Sequence, residues 1–304
     1  MESLTTKRTL HGVLPPMVTP FKEDGEVDYD GFTSNLERWN SDDLAGYVVL
    51  GSNSETAFLT PEEKLKLIEL TVQHAAKERV VIAGTGVEST RDTILLTNKA
   101  ARLGVRAALV LTPHYYGEAM TDGVLIRYYT DVAEQSEIPI LIYNVPKFSH
   151  VNISVHAVKT LSQHPNIIGM KDSAGNVEQL RTFYSVVPRE FNLMVGTVDI
   201  WLAALEIGIR AGVHAAANCL PNLCSEIQRC FESGDLAQAK KIQERVIPVN
   251  KAVTATYGVP GLKYATTLMG YKGGYPRAPL LPLKQQEQNE IQKIVREAGF
   301  LQND

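Results

Sequence analysis

Runs of apolar, often β-branched residues alternate with segments of helical period along most of the chain, and Gly, Pro, Ser, Thr or Asp marks each change of period. Eight such strand-helix units can be read. The strands are predicted at Gly12 to Pro20, Gly46 to Gly51, Val80 to Gly84, Ala107 to Thr112, Pro139 to Tyr143, Ile167 to Lys171, Asn192 to Gly196 and Gly212 to Ala217. Between them, helices are predicted at Pro61 to Ala76, opened by Thr60 with Glu63 three residues on, and at Thr90 to Leu103, closed by Gly104. A doubly wound open sheet would use fewer units and place a phosphate-binding glycine turn after its first strand. The first turn here is Thr19-Pro20-Phe21-Lys22, and no GxGxxG follows. The pattern therefore predicts an α/β fold, a (β/α)8 TIM barrel over residues 1–230 with a small C-terminal all-helical domain over 231–304. In that tail Leu236 to Val253, Leu262 to Leu268 and Lys284 to Ala298 keep helical period, broken by Gly258, Pro260 and the segment Gly273 to Pro282.

Composition narrows the function classes. With 304 residues, 44% hydrophobic and 21% charged, the chain has the make-up of an ordinary globular protein. A net charge of -4 and the lack of a clustered Lys/Arg run give no basic face for nucleic acid, so small-molecule chemistry is the expectation. Met1 to Leu10 carries charges without an apolar core, and no window approaches a membrane-spanning length, which predicts a cytoplasmic protein without membrane contact. Cys219, Cys224 and Cys230 are an odd number without CxxC spacing or a nearby histidine pair, so they read as reduced structural thiols and no metal is expected.

Barrel active sites form at the C-terminal ends of the strands, so polar residues that interrupt strand-end hydrophobicity are the candidates. Lys171 closes the apolar run Ile167-Ile168-Gly169-Met170, where an ammonium loses hydration and the neutral, nucleophilic amine is favoured. Taken alone, it reads more readily as the end of an ordinary strand that reaches water and pairs with Asp172. Strand two ends Gly51-Ser52-Asn53-Ser54-Glu55, hydroxyl and amide donors suited to a small carboxylate or to a simple capping loop. Strand four ends Thr112-Pro113-His114-Tyr115-Tyr116, and strand five carries Tyr143-Asn144-Val145-Pro146. A lysine to form an imine, a tyrosine to move protons and donors to hold a carboxylate make up the set that class I aldol chemistry needs, without a metal. His214, on the last strand, reads as a satisfied structural histidine.

These segments, GSNSE, TPHYY, YNVP and GMKDSAG, resemble in order and spacing the dihydrodipicolinate synthase and N-acetylneuraminate lyase superfamily of pyruvate-dependent aldolases, over about Gly12 to Leu280. The resemblance implies that Lys171 is the Schiff-base lysine, with no cofactor beyond that covalent imine. It further implies that Tyr143 relays protons and that Ser52 and Asn53 cradle the carboxylate of pyruvate. Tyr116 would complete a relay with Ser52 and Tyr143 beside a neighbouring subunit of a homotetramer, a dimer of dimers. Ser173 would contact the acceptor part of the substrate, and Gly196 and Asn218 complete the expected substrate-binding set.

Members acting on aspartate semialdehyde typically carry an arginine two residues after the proline of YNVP, whereas this chain has Lys147 and then Phe148. The segments Leu161 to Ser173, Tyr257 to Lys263 and Gly270 to Leu280 look most like 4-hydroxy-2-oxoglutarate aldolase, which predicts cleavage of that acid to pyruvate and glyoxylate. The alternatives are a dihydrodipicolinate synthase, a 2-keto-3-deoxy sugar acid aldolase, and a non-catalytic barrel that binds a keto acid. Ser54 stands where the superfamily usually places glycine, and a positive φ there would strain it.

Overall fold

The computed structural model describes residues 10–301, so all but the last residue of the charged stretch Met1 to Leu10 lies outside the described residues. Eight parallel strands are present: β1 Gly12–Leu14, β2 Gly46–Val49, β3 Val80–Gly84, β4 Ala107–Leu111, β5 Ile140–Asn144, β6 Ile167–Asp172, β7 Asn192–Val195 and β8 Ala211–Val213. They pair in sequence order from β2 to β8, and β8 then pairs with β1. A bridge from Pro16 to Val48 closes the ring beyond the end of β1. This is the predicted barrel, and its pleat sends alternate side chains to two cores. Leu14, Val48, Ile82, Leu109, Leu141 and Met194 fill the interior. Val13, Val49, Val110, Ile142 and Val195 face outward into the layer under the helices.

Twelve α-helices lie among the described residues: α1 Tyr29–Trp39, α2 Pro61–His74, α3 Thr90–Leu103, α4 Asp122–Gln135, α5 Pro146–Ser149, α6 Val155–Leu161, α7 Val177–Val186, α8 Trp201–Ile207, α9 Pro221–Glu232, α10 Leu236–Lys251, α11 Gly258–Leu268 and α12 Gln285–Glu297. The predicted boundaries hold where a cap dictates them. Thr60 and Glu63 form the reciprocal capping box of α2, and α3 ends at Gly104 with φ 100°. They fail where tertiary context intervenes. The first strand stops at Leu14 because Pro15 and Pro16 have no N–H to donate, and the last stops at Val213 because Ala215–Asn218 coil into a 3-10 turn. Gly258 and Pro260, expected to break the tail, open α11 instead, since a first turn does not need the missing N–H. The break falls earlier, in the π-helical turn Ala252–Thr256. The predicted boundary after residue 230 lies inside α9.

One irregularity sets the orientation of strand six. Ile140 pairs with Ile167, but Leu141 pairs with Gly169, so Ile168 is an extra residue in β6. Beyond this bulge Met170 joins the outer layer and Lys171 turns into the barrel opposite Tyr143. Two features hold it. A Cβ on Gly169 would come within 2.4 Å of the Asn192 carbonyl oxygen, so the tight approach requires glycine. The Asn192 side-chain amide donates to the Ile168 carbonyl at 2.9 Å, satisfying the bulged backbone.

His214 follows β8 and is fully buried, with its ring edge-on to Trp201 at 5.1 Å. The expectation that it is a satisfied structural histidine is corrected in part: it is buried, yet neither ring nitrogen has a hydrogen-bond partner among the described residues. Burial, followed by the charge of Lys171, lowers its pKa from 6.5 to about 3. The ring is therefore neutral in the fold, whereas the unfolded chain protonates it as pH drops below 6.5. Its contribution to stability is complete above that pH and is lost as pH falls toward 3. Urea unfolding below neutral pH should show a loss from this group of up to about 1.4 kcal/mol per pH unit. His214→Leu should flatten that slope, and a variant with the parent's slope would show that the imidazole is not the group responsible.

Candidate active site

The C-terminal ends of the strands enclose a cleft of about 340 Å³ whose lining includes Lys171, Tyr143, Ser52, Asn53, Ser173 and Gly196. Register brings the first two together. Lys171 and Tyr143 are cross-strand partners, and the Lys171 Nζ lies 4.2 Å from the centre of the Tyr143 ring. The lysine is only 3% exposed and makes no ion pair among the described residues, so it neither reaches bulk water nor pairs with Asp172. Asp172 points to the opposite face, where its Oδ1 accepts from the amides of Asn144 at 2.7 Å and Gln179 at 3.2 Å. Burial raises the pKa of its carboxyl group. The Tyr143 hydroxyl lies 3.2 Å from Ser52 Oγ, so the phenol is hydrogen-bonded to a residue of the candidate carboxylate cradle.

That cradle is the 3-10 turn Ser52–Ser54. The feared strain at Ser54 is not there. The left-handed residue is Glu55, at φ 56°, while Ser54 Oγ donates to the Met17 carbonyl at 2.5 Å and ties the turn to the loop after β1. Ser173 follows β6, and its buried Oγ at the cleft has no partner among the described residues. A Cβ on Gly196 would fall 1.9 Å from that oxygen, so glycine there makes room for the hydroxyl. The Gly196 N–H is itself engaged, donating to the Asp172 carbonyl at 2.7 Å.

Two expected site residues lie elsewhere. Asn218 does not line the cleft. It is fully buried, donates to the carbonyls of Pro16 and Ala215 at 3.0 Å each and accepts from Val18 N at 3.0 Å, which makes it a fastener at the seam between β8 and β1. Tyr116 is 71% exposed on the loop after β4, its ring edge-on to Tyr115, and does not reach Tyr143 within this chain. Glu88 fixes that loop by accepting from the backbone N–H groups of His114 and Tyr115 at 3.0 and 2.9 Å.

Sequence reasoning missed the outer wall. Asn250 at the end of α10 donates to Asp199 Oδ1 at 2.9 Å and Thr197 Oγ1 at 3.2 Å, and all three line the cleft with Thr254 of the π turn. Burial raises the pKa of the Asp199 carboxyl group. Lys147 donates to the Thr254 carbonyl at 2.8 Å, latching the start of α5 to this wall. Such π-helical turns gather at functional sites, but the sequence carries no signal for this one, which only the backbone reveals. No group of three or more His, Cys, Asp or Glu is placed to hold a metal among the described residues, and no helix there is long and apolar enough to cross a membrane.

Comparison with known proteins agrees with this architecture. The chain is 34% identical over 291 residues to the 4-hydroxy-tetrahydrodipicolinate synthase of Acidiphilium cryptum, covering 96% of this chain and 99% of the relative. It is 33% identical over 290 residues to that of Thermodesulfovibrio yellowstonii, covering 95% and 99%. Among solved structures, a dihydrodipicolinate synthase of Bacillus anthracis superposes with a TM-score of 0.90 at 29% identity, covering 94% of this chain and 98% of that one. The Acinetobacter baumannii enzyme complexed with pyruvate gives 0.91 at 29%, covering 96% and 100%. The expected likeness to 4-hydroxy-2-oxoglutarate aldolase is corrected by these synthases. Of the segments behind that expectation, Gly270 to Leu280 packs around Phe21 and the turn at Glu55, while Tyr257 to Lys263 meets the cleft at Gly258 and Val259 and pairs Lys263 with Glu55. The family model for dihydrodipicolinate synthetases matches residues 9–298, and the chain belongs to that family, class I lyases that join a lysine to pyruvate as a Schiff base without an external cofactor.

Proposed function

We propose that Lys171 forms the imine with pyruvate and that Tyr143 and Ser52 move the protons this requires. The observation that carries the reading is the buried Lys171 Nζ against the Tyr143 ring, with the phenol hydrogen-bonded to Ser52. The amine adds to the keto carbon of pyruvate, and the carbinolamine loses water as the phenol protonates the departing hydroxyl. The protonated imine withdraws electrons from the methyl carbon, which gives up a proton and attacks an aldehyde. In the reverse direction the same imine accepts the electron pair of a breaking carbon-carbon bond. Ser52 and Asn53 hold the carboxylate, and Ser173 offers its unpartnered hydroxyl to the acceptor.

For the acceptor, the curated relatives support condensation with aspartate semialdehyde, the reaction of a 4-hydroxy-tetrahydrodipicolinate synthase. One observation favours a second reading. Among the described cleft residues Lys147 is the cation besides Lys171, and the Thr254 carbonyl holds it, while Phe148 presents a phenyl ring and Asp199 a carboxyl group. Such a wall suits a hydroxylated acceptor better than a second carboxylate, as in cleavage of a 2-keto-3-deoxy sugar acid. Oligomerisation belongs to the same proposal: Tyr115 and Tyr116, 78% and 71% exposed on a loop fixed by Glu88, suit an interface in a homotetramer.

Borohydride reduction in the presence of pyruvate should add mass at Lys171, and Lys171→Ala should lose the adduct; an adduct mapped to another lysine would overturn the assignment. A parent chain without any adduct would favour a keto-acid-binding barrel. Tyr143→Phe should keep the fold and lower turnover by roughly 10² to 10⁴ fold. Turnover within a few fold of the parent would remove the phenol from the mechanism.

A rate panel separates the acceptors, with aspartate semialdehyde condensation measured beside cleavage of 2-keto-3-deoxy sugar acids and 4-hydroxy-2-oxoglutarate. If the cleft lacks a carboxylate partner, Phe148→Arg should raise kcat/KM for aspartate semialdehyde by about tenfold or more, equivalent to about 1.4 kcal/mol or more. A parent already faster with aspartate semialdehyde than with any cleaved acid would establish the synthase reading and dismiss the second.

A further inference from the structure

Close to the cradle lies a buried ion pair that the reaction does not use. The chain leaves the Ser52–Ser54 turn through Glu55, whose left-handed φ of 56° and ψ of 35° a non-glycine residue adopts only under constraint. The constraint is visible. The Glu55 carboxylate, 3% exposed, meets the ammonium of Lys263 from α11, which is 1% exposed. The other carboxylate oxygen, Oε2, accepts from Arg277 N at 2.8 Å, and Lys263 Nζ also donates to the Tyr275 carbonyl at 2.6 Å. Lys263 and Arg277 both lie over the Phe21 ring, at 4.2 and 4.3 Å from its centre. Arg277 then grips both carboxylate oxygens of Glu63 at 2.6 Å each, so the segment from the cradle to the start of α2 is held at both ends.

Burial pushes the Glu55 carboxyl up and Lys263 down to about 8, and each opposes that push on the other. With the added donors and acceptors we take both as charged. A buried pair of this kind tolerates little displacement, because moving one charge leaves the other without compensation. The helix that carries Lys263 also begins at the cleft, where Gly258 and Val259 form part of the wall. The pair therefore ties that wall to the exit of the cradle turn.

We propose that Glu55 and Lys263 are positioning residues for the substrate carboxylate: their pairing sets where Ser52 and Asn53 meet a bound keto acid. This rests on the reading that those two residues hold the carboxylate of pyruvate. The test is the pyruvate concentration that half-saturates the initial rate of borohydride trapping, measured on folded protein beside the thermal unfolding midpoint. Glu55→Gln and Lys263→Met should each raise that concentration by about tenfold or more, leaving the rate at saturating pyruvate near that of the parent, and Lys263→Arg should restore much of the loss. The double variant Glu55→Gln with Lys263→Met has no unpaired buried charge. It should regain stability relative to the single variants while its half-saturation stays raised, and it decides the matter if a single variant fails to fold. Half-saturation within about twofold of the parent, or recovering with the midpoint in the double variant, would show a purely structural pair and overturn the proposal. A parent that traps no pyruvate would instead overturn the reading of the cradle, and the proposal with it.

Discussion

The single extra residue in β6 is the constraint on which the site depends. A parallel strand shows alternate residues to the barrel interior, so a shift of one residue exchanges the two faces. With uninterrupted pairing from Ile140 and Ile167, Tyr143 would face Met170 and Lys171 would enter the apolar layer under the helices. The bulge at Ile168 reverses this and places a lysine inside the barrel, opposite a tyrosine. Its upkeep falls to Gly169, which lets the backbone of β7 approach, and to Asn192, whose amide takes up the displaced carbonyl. Bulges cluster beside active sites for this reason: they re-aim one side chain without rebuilding the sheet.

Around that lysine the protein spends polar groups in two ways. On the outward face, Asn144, Asn152, Gln179 and the Oδ1 of Asp172 form a connected hydrogen-bonded set that locks the ends of β5 and β6 to α7. At the cleft, polar atoms are left open: Ser173 Oγ and Asn250 Oδ1 are buried and unpartnered among the described residues. Buried polar groups are nearly always satisfied, so an open hydroxyl at a cleft is a candidate contact for a ligand.

The cleft also shows why membership of the family leaves the acceptor to be decided by particular side chains. In the proposed mechanism the imine half of the site comes from strand ends, which the barrel fixes. The outer wall of the cleft, to which the proposal assigns the acceptor, comes from α5, the loop after β7 and the π turn after α10, where Lys147, Asp199, Asn250 and Thr254 bond to one another rather than to the sheet. Loops and terminal helices change without disturbing the barrel, so two chains with the same lysine and tyrosine can accept different aldehydes.

The sequence by itself determined the local matters. Apolar runs and helical period located eight strand-helix units, Thr60 with Glu63 and Gly104 fixed helix ends, and the polar residues closing strands two, five and six marked Ser52, Asn53, Tyr143 and Lys171. Each is written within a few neighbouring residues, where propensity and capping act. Tertiary structure decided the rest. It turned Lys171 inward, sent Asn218 to the barrel seam, left Tyr116 on the surface of the chain, moved the left-handed residue from Ser54 to Glu55, brought Asn250 to the cleft wall and paired Lys263 with Glu55. Those outcomes follow from register, close backbone approach and the pairing of buried charges between segments far apart in the chain, and no local pattern carries that information.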